Sequence, residues 1–112
     1  MLDYSLCNQT VTVYRMGIQG VERLVADGCL YDYEDVITQD VPGGRLERKF
    51  LLVMPGSRQR VFPGDRIYDG IGPETVDWAA FLPASVPGLS IAEYAHPCRW
   101  AGAVCHVEAG RK

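Results

Sequence analysis

The C-terminal part of the chain holds the side chains best suited to a metal, His96, Cys98, Cys105 and His106. Two thiolates and two imidazoles form a donor set that zinc takes in tetrahedral structural sites. The spacing disfavours such a site, because six residues separate the two cysteines, whereas zinc sites usually place paired ligands about two to four residues apart. Adjacent Cys105 and His106 would also point to opposite faces of a strand. We therefore expect small apolar core cysteines and surface histidines, with a metal at these four residues as the alternative.

Catalytic groups are the second class to consider, and their spacing argues against an enzyme. Asp65 and Asp69 share one predicted strand at about 13 Å, which exceeds the separation of a glycosidase acid pair. The stretch VFPGDRIYDGIG lacks the Lys-Ser/Thr of a phosphate-binding loop, and its Pro63-Gly64 fits the centre of a type II turn. A G-x-S-x-G nucleophile elbow is absent, and no segment would activate a thiolate. We expect no enzymatic activity and no cofactor.

Composition bounds the partners of the protein. The 112 residues carry a net charge of −3 and are 47% hydrophobic, which is ordinary for one globular domain. This negative net charge disfavours nucleic acid as the main partner, because binding to nucleic acid needs a basic face. The acidic residues Asp32, Glu34, Asp35 and Asp40 are expected to form a solvated face. Core and interface packing, rather than base stacking, is the expected use of the aromatic residues Tyr31, Tyr33, Tyr68, Trp78, Phe81, Tyr94 and Trp100.

The cellular compartment is inferred from the N-terminus and the cysteines. No apolar run approaches the roughly 20 residues of a membrane span. The N-terminal MLDYSLCNQT has no basic region followed by an apolar core, so it does not resemble a signal peptide. We expect synthesis in the cytoplasm, with all four cysteines, Cys7, Cys29, Cys98 and Cys105, present as free thiols.

The short-period apolar pattern predicts a mainly β protein, a small β-barrel or sandwich of five to six strands in a single domain spanning 1–112. The glycine in Asp27-Gly28 indicates a break or a bulge in the second strand region. Trp78, Phe81 and Leu82 follow helical spacing and predict one short helix over 75–82. The predicted elements are strands at 10–14, 21–33, 49–54 and 65–69, a long projecting loop at 34–48, and a C-terminal hairpin at about 89–109 with a tight turn at Ala101-Gly102.

The order of these features carries a resemblance to a known family. A TVTVYR strand leads into DGCLYDYED, a Pro-Gly-Gly loop, the apolar KFLLVMPG and then FPGDRIYDG. Over residues 8–72 this order is similar to that of small head–tail connector proteins of tailed bacteriophages, the head-completion or stopper proteins also called minor capsid proteins.

The resemblance implies a structural virion protein that forms a ring at the head–tail junction and is assembled in the bacterial cytoplasm. The ring would close the DNA channel and offer the tail a surface. Its partners would be its own copies, the adaptor or portal proteins, and the tail-completion or tail-tube proteins, with packaged DNA met only in the channel and no membrane contacted. The loop residues that would line the channel or the subunit interface are Asp35, Asp40, Val41, Pro42, Gly43, Gly44, Arg45 and Arg48. The alternative is a small β-domain that binds a metal, a peptide or a small ligand.

Overall fold

The computed structural model describes the backbone of residues 4–38 and 45–111 and the side chains of 4–34 and 49–111. These residues form one antiparallel sheet of seven strands that curls into a half-barrel, in the order β5-β4-β1-β2-β3-β7-β6. The mainly β prediction is confirmed. The strands are β1 Gln9–Gly17, β2 Gly20–Thr38, β3 Arg45–Pro55, β4 Arg66–Asp69, β5 Leu89–Ile91, β6 Tyr94–Trp100 and β7 Ala103–Gly110.

A bulge in β2 makes the sheet curl. The strand pairs with β1 up to Cys29 and with β3 from Leu30 onward, and the β1 register shifts by one residue at Asp27-Gly28. Gly28 has a φ of 68°, a conformation that favours glycine. The bulge predicted from the sequence is therefore confirmed. Because side chains alternate along a strand, the extra residue changes which positions face inward, from Ala26 before the bulge to Cys29 and Tyr31 after it.

The two edge strands meet at one corner of the half-barrel. β5 and β6 lie at opposite ends of the sheet order, yet only two residues of chain separate them. The backbone N–H of Glu93 in this connection donates to the carbonyl of Gly110 on β7 (2.9 Å). The Tyr31 hydroxyl on β2 donates to Ser90 Oγ on β5 (2.6 Å). These hydrogen bonds close one end of the barrel across the core.

The apolar core fills the inside of the half-barrel. It contains Val11, Val13, Ala26, Cys29, Tyr31, Phe50, Leu52, Met54, Val61, Ile67, Ala92, Val107 and Ala109. The outer face of β1 is covered as well, because Thr12 and Tyr14 are fully buried under the segment 70–88. The Thr12 hydroxyl donates to the Gly70 carbonyl and the Tyr14 hydroxyl to the Pro73 carbonyl. Strand β1 is therefore buried on both faces.

The predicted helix over 75–82 is wrong, since the described residues contain no helix. A single turn forms there, in which the N–H of Phe81 donates to the carbonyl of Asp77 (2.9 Å). The guanidinium of Arg66 donates to the carbonyls of Trp78 and Phe81 and lies 3.6 Å from the centre of the Trp78 ring. Arg66 on β4 thus donates to carbonyls that would accept backbone hydrogen bonds in a longer helix. Pro83 has no N–H and cannot donate the next helical hydrogen bond.

Two further predictions need correction. The loop expected at 34–48 is mostly strand, because β2 continues to Thr38 and β3 begins at Arg45. The β-branched residues Val36, Ile37 and Thr38 favour this extension. The described residues form seven strands rather than five to six, in part because the predicted stretch 89–100 is divided between β5 and β6. The turn at Ala101-Gly102 is confirmed, with positive φ at both residues.

The opening of β4 depends on an ion pair whose carboxylate is buried. Asp65 is 2% exposed and accepts two hydrogen bonds from Arg15, Nε to Oδ1 (2.8 Å) and Nη2 to Oδ2 (2.6 Å). Its Oδ2 also accepts from the N–H of Phe62 (2.9 Å), and the Asp65 N–H donates to the Phe62 carbonyl (3.1 Å). With a φ of 92° at Gly64, these contacts confirm the predicted turn at Pro63-Gly64. The carboxylate therefore joins β1 to this turn.

We expect Asp65→Asn to lower the free energy of unfolding by about 2 kcal/mol. Breaking a fully buried pair costs roughly 3–5 kcal/mol, and Arg15 keeps part of its solvent access, which reduces the loss. The matched control is Asp69→Asn, four positions along the chain at an exposed site, which should change stability by less than about 0.5 kcal/mol. Urea unfolding measures both. Equal stabilities for the two variants would contradict the structural role given to Asp65.

Candidate functional site

Three side chains of the C-terminal hairpin come together on the outer face of the sheet. Cys98 on β6 is directly paired with His106 on β7, and Glu108 lies two residues further along β7. Residues directly opposite each other, and residues two apart on one strand, share a sheet face. The Sγ, imidazole nitrogen and carboxylate oxygen of these residues lie within 4.8 Å of one another. We call them the Cys–His–Glu group.

His106 is the centre of this group and is held from both sides. Its Nε2 lies 3.1 Å from Glu108 Oε1, and its Nδ1 lies 2.7 Å from the hydroxyl of Tyr4. The Tyr4 ring packs edge-on against the imidazole, with centroids 5.4 Å apart, and His106 is 8% exposed. Both ring nitrogens therefore have a polar neighbour, which fixes the plane of the imidazole.

The structure brings together two of the four metal-ligand candidates. Cys98 and His106 meet, whereas His96 is exposed with its ring stacked on Tyr94 (4.9 Å between centroids). Cys105 lies where the β6–β7 register shifts, and its thiol is outside the group. The expectation of surface histidines is thus correct for His96 and wrong for His106. None of the four cysteines, all of which lie in the described part of the chain, forms a disulfide, and only Cys29 is fully buried.

Sequence reasoning missed Glu108 and Tyr4. The i, i+2 spacing of His106 and Glu108 was a signal for Glu108, because it places both on one face of a strand. No local signal pointed to Tyr4, which is 102 positions from His106. Burial and the nearby Glu108 carboxylate raise the pKa of the Cys98 thiol. A protonated thiol is therefore favoured in the metal-free protein.

A groove rich in arginine lies on another part of the surface. It has a volume of about 490 Å³. Arg15 and Glu22 are directly paired across β1 and β2 at its wall, and Phe62 lies 4.5 Å from the guanidinium of Arg15. Its lining residues are Val13, Arg15, Glu22, Arg23, Leu24, Arg58, Gln59, Arg60 and Phe62. Four arginines against one glutamate give this groove a positive charge, although the whole chain is acidic.

The β2–β3 hairpin extends beyond the half-barrel. The ladder runs from Leu30↔Val53 to Thr38↔Arg45, but β7 pairs with β3 only from Leu51 to Pro55. Residues 34–38 and 45–49 therefore pair only with each other among the described residues, and we call them the arm. Within the arm Asp35 is opposite Arg48 and Thr38 is opposite Arg45. The remaining predicted channel residues lie outside the described residues: Asp40, Val41, Pro42, Gly43 and Gly44.

The carboxylates considered for acid–base catalysis have other contacts. Asp65 is paired with Arg15 in the turn before β4. Asp69 is exposed and accepts a hydrogen bond from the Tyr33 hydroxyl (3.2 Å).

The comparisons with known proteins leave the geometry as the basis for function. No protein-family model matches the chain, and neither a curated protein nor a solved structure is found to be similar to it. The described residues also include no helix of the length and apolarity needed to cross a membrane.

The buried thiol of Cys29 gives a test by pH. Burial raises its pKa to about 11, whereas an exposed thiol titrates near 8.5. The folded state therefore favours the protonated thiol, and the resulting stability is fully present below about pH 8.5 and lost as the pH rises through about 11. We expect the difference in unfolding free energy between the wild type and Cys29→Ala to decrease over that range in urea unfolding. Comparing the two proteins cancels the titration of other groups, so a constant difference would contradict the assignment.

Proposed function

We propose that this protein is a structural component of the head–tail connector of a tailed bacteriophage. Its copies would form a ring that closes the DNA channel and provides the surface to which the tail attaches. The order of sequence motifs over residues 8–72 and the mainly β fold support this proposal. The role requires no catalytic site or cofactor, and its partners would be further copies of the chain and the adaptor, portal and tail proteins.

The arm is the observation that carries the proposal. A two-stranded hairpin is marginally stable in water without a further strand or a packed face. β2 has 19 residues and continues well beyond the point where β1 stops pairing with it. In a closed ring, contacts with a neighbouring subunit would stabilise this projecting hairpin. The far end of the arm, at Thr38 and Arg45, would then point toward the channel and help to retain DNA.

The charges near the base of the arm suit the groove of a second copy. Asp32 and Glu34 are exposed on β2, and the sequence adds Asp35 and Asp40 further along the hairpin. The arginine groove offers the opposite charge at a different place on the surface. Two different surfaces that bind each other form a heterologous interface, which closes into a ring when the rotation between subunits allows it. Charge complementarity of this kind also sets the orientation of the subunits.

The alternative function is a small β-domain that binds a peptide, a small ligand or a metal. The arginine groove is the observation that favours it, because a concave surface with several guanidinium groups suits an anionic ligand. A stable monomer that binds such a ligand and does not associate with phage heads would support this alternative over the ring.

Shortening the arm should abolish ring assembly but preserve the fold. In the variant, residues 38–45 are replaced by Asn-Gly, a two-residue turn that keeps the Ile37↔Leu46 pair in register. The half-barrel should melt at nearly the parent temperature, because the removed residues have little apolar area to bury and loop closure depends weakly on length. We expect the parent to form rings on DNA-filled heads that lack it, and the variant to leave heads that lose DNA or do not join tails.

Electron microscopy of the heads and circular dichroism of the purified variant give the two measurements. A variant that folds and still yields DNA-filled, tailed particles would disprove the role of the arm. A variant that does not fold would instead disprove its position outside the core.

Reversing charge in the groove tests whether the arm binds there. Arg58→Glu combined with Arg60→Glu should prevent ring formation, because the groove would then repel the acidic part of β2. Arg99→Glu on β6 is the matched control, since it reverses one exposed arginine that does not line the groove. Adding Asp32→Arg and Glu34→Arg to the groove variant should restore part of the assembly. Unchanged assembly by the groove variant would disprove the interface.

A further inference from the structure

We propose that the Cys–His–Glu group binds a zinc ion through Cys98 Sγ, His106 Nε2 and a carboxylate oxygen of Glu108. The site lies on the outer face of β6 and β7, separate from the arm and the arginine groove. The proposed site goes beyond the ring function and does not depend on it, because all three ligands lie on the β6–β7 hairpin. The ligand set differs from the one that the sequence suggested, with Glu108 present and with His96 and Cys105 outside it.

The distances suit a tetrahedral ion. Zinc binds sulfur at about 2.3 Å and nitrogen or oxygen at about 2.0–2.2 Å, so ligand atoms around it are separated by roughly 3.3–3.8 Å. The three donor atoms here already lie within 4.8 Å of one another. Side-chain rotations that shorten the longest of these separations by about 1 Å would give the tetrahedral spacing. The mixture of thiolate and imidazole favours zinc over magnesium or calcium, which prefer oxygen.

Tyr4 is placed to orient His106 for this role. A metal on Nε2 requires the imidazole proton on Nδ1, and a hydrogen-bond acceptor for that proton fixes the tautomer. The Tyr4 hydroxyl lies 2.7 Å from Nδ1 and can accept it. Zinc would then take the place between Nε2 and Glu108 Oε1, which are 3.1 Å apart. Tyr4 is thus a positioning residue that does not touch the metal.

Binding also has a simple balance of protons. Cys98 binds as the thiolate, so its proton is released to solvent when the zinc–sulfur bond forms. His106 binds as the neutral imidazole with its proton on Nδ1, and Glu108 binds as the carboxylate. His96 is stacked on Tyr94 and contributes no ligand, so water occupies the fourth position. The ion would tie the edge strand β6 to β7.

The test uses the full chain, freed of metal with a chelator and titrated with Co²⁺, whose spectrum reports thiolate ligation. We expect one equivalent of Co²⁺ to bind with a sulfur-to-cobalt charge-transfer band, and Zn²⁺ to displace it. Cys98→Ser should abolish the band. Cys105→Ser is the matched control and should retain it, since that thiol is outside the group. Tyr4→Phe should keep the band but weaken binding by roughly 10–100-fold, the usual effect of losing an orienting partner.

Circular dichroism checks that each variant is folded. If Cys98→Ser does not fold, Glu108→Gln takes its place, with an expected loss of affinity of at least about tenfold because one ligand is removed. A chain that binds no Co²⁺ with a sulfur band would overturn the proposal. So would a band that survives Cys98→Ser or disappears in Cys105→Ser.

Discussion

The pairing of Arg15 with Asp65 is the constraint on which the closed end of the half-barrel depends. A carboxylate that is 2% exposed requires a cation and hydrogen-bond donors, and the chain supplies both from Arg15 and the turn at Phe62. The Asp65 carbonyl in turn accepts from the N–H of Ala92, in the connection between the two edge strands. One ion pair therefore links β1, the start of β4 and the corner where the edges meet. It also neutralises Arg15, so that Arg58 and Arg60 carry much of the charge of the groove.

Features that depend on local backbone chemistry were predictable from the sequence. The bulge at Asp27-Gly28 and the turns at Pro63-Gly64 and Ala101-Gly102 each contain a glycine with positive φ. The apolar strand that includes Leu52 was also recognisable, and it lies within the sheet between β2 and β7. What the sequence did not indicate is which distant groups these elements bring together. Asp65 was identified as a turn residue, but its pairing with Arg15, 50 positions earlier, was not.

Two of the incorrect predictions, the helix over 75–82 and the set of metal ligands, share one physical cause, which is the dominance of tertiary contacts over local pattern. The spacing of Trp78, Phe81 and Leu82 is helical, yet Arg66 from another strand binds the carbonyls and the segment packs as turns against Tyr14. The same holds for the Cys–His–Glu group. Its composition depends on the register of β6 with β7, and its contact with Tyr4 depends on the docking of the N-terminal segment. Neither is encoded in the spacing of cysteines and histidines.

The single extra residue at Asp27-Gly28 separates β2 into two halves with opposite phase. Ala26 faces the core before it and Tyr31 faces the core after it, so even positions are internal in the first half and odd positions in the second. Among the side chains described on β2, which end at Glu34, none beyond Tyr33 packs against the core, so a change of hairpin length there leaves the described core positions in phase. A deletion of one residue at the bulge would instead turn Asp32 toward the interior. The bulge is thus the point on β2 that determines which of its side chains face the core and which face outward.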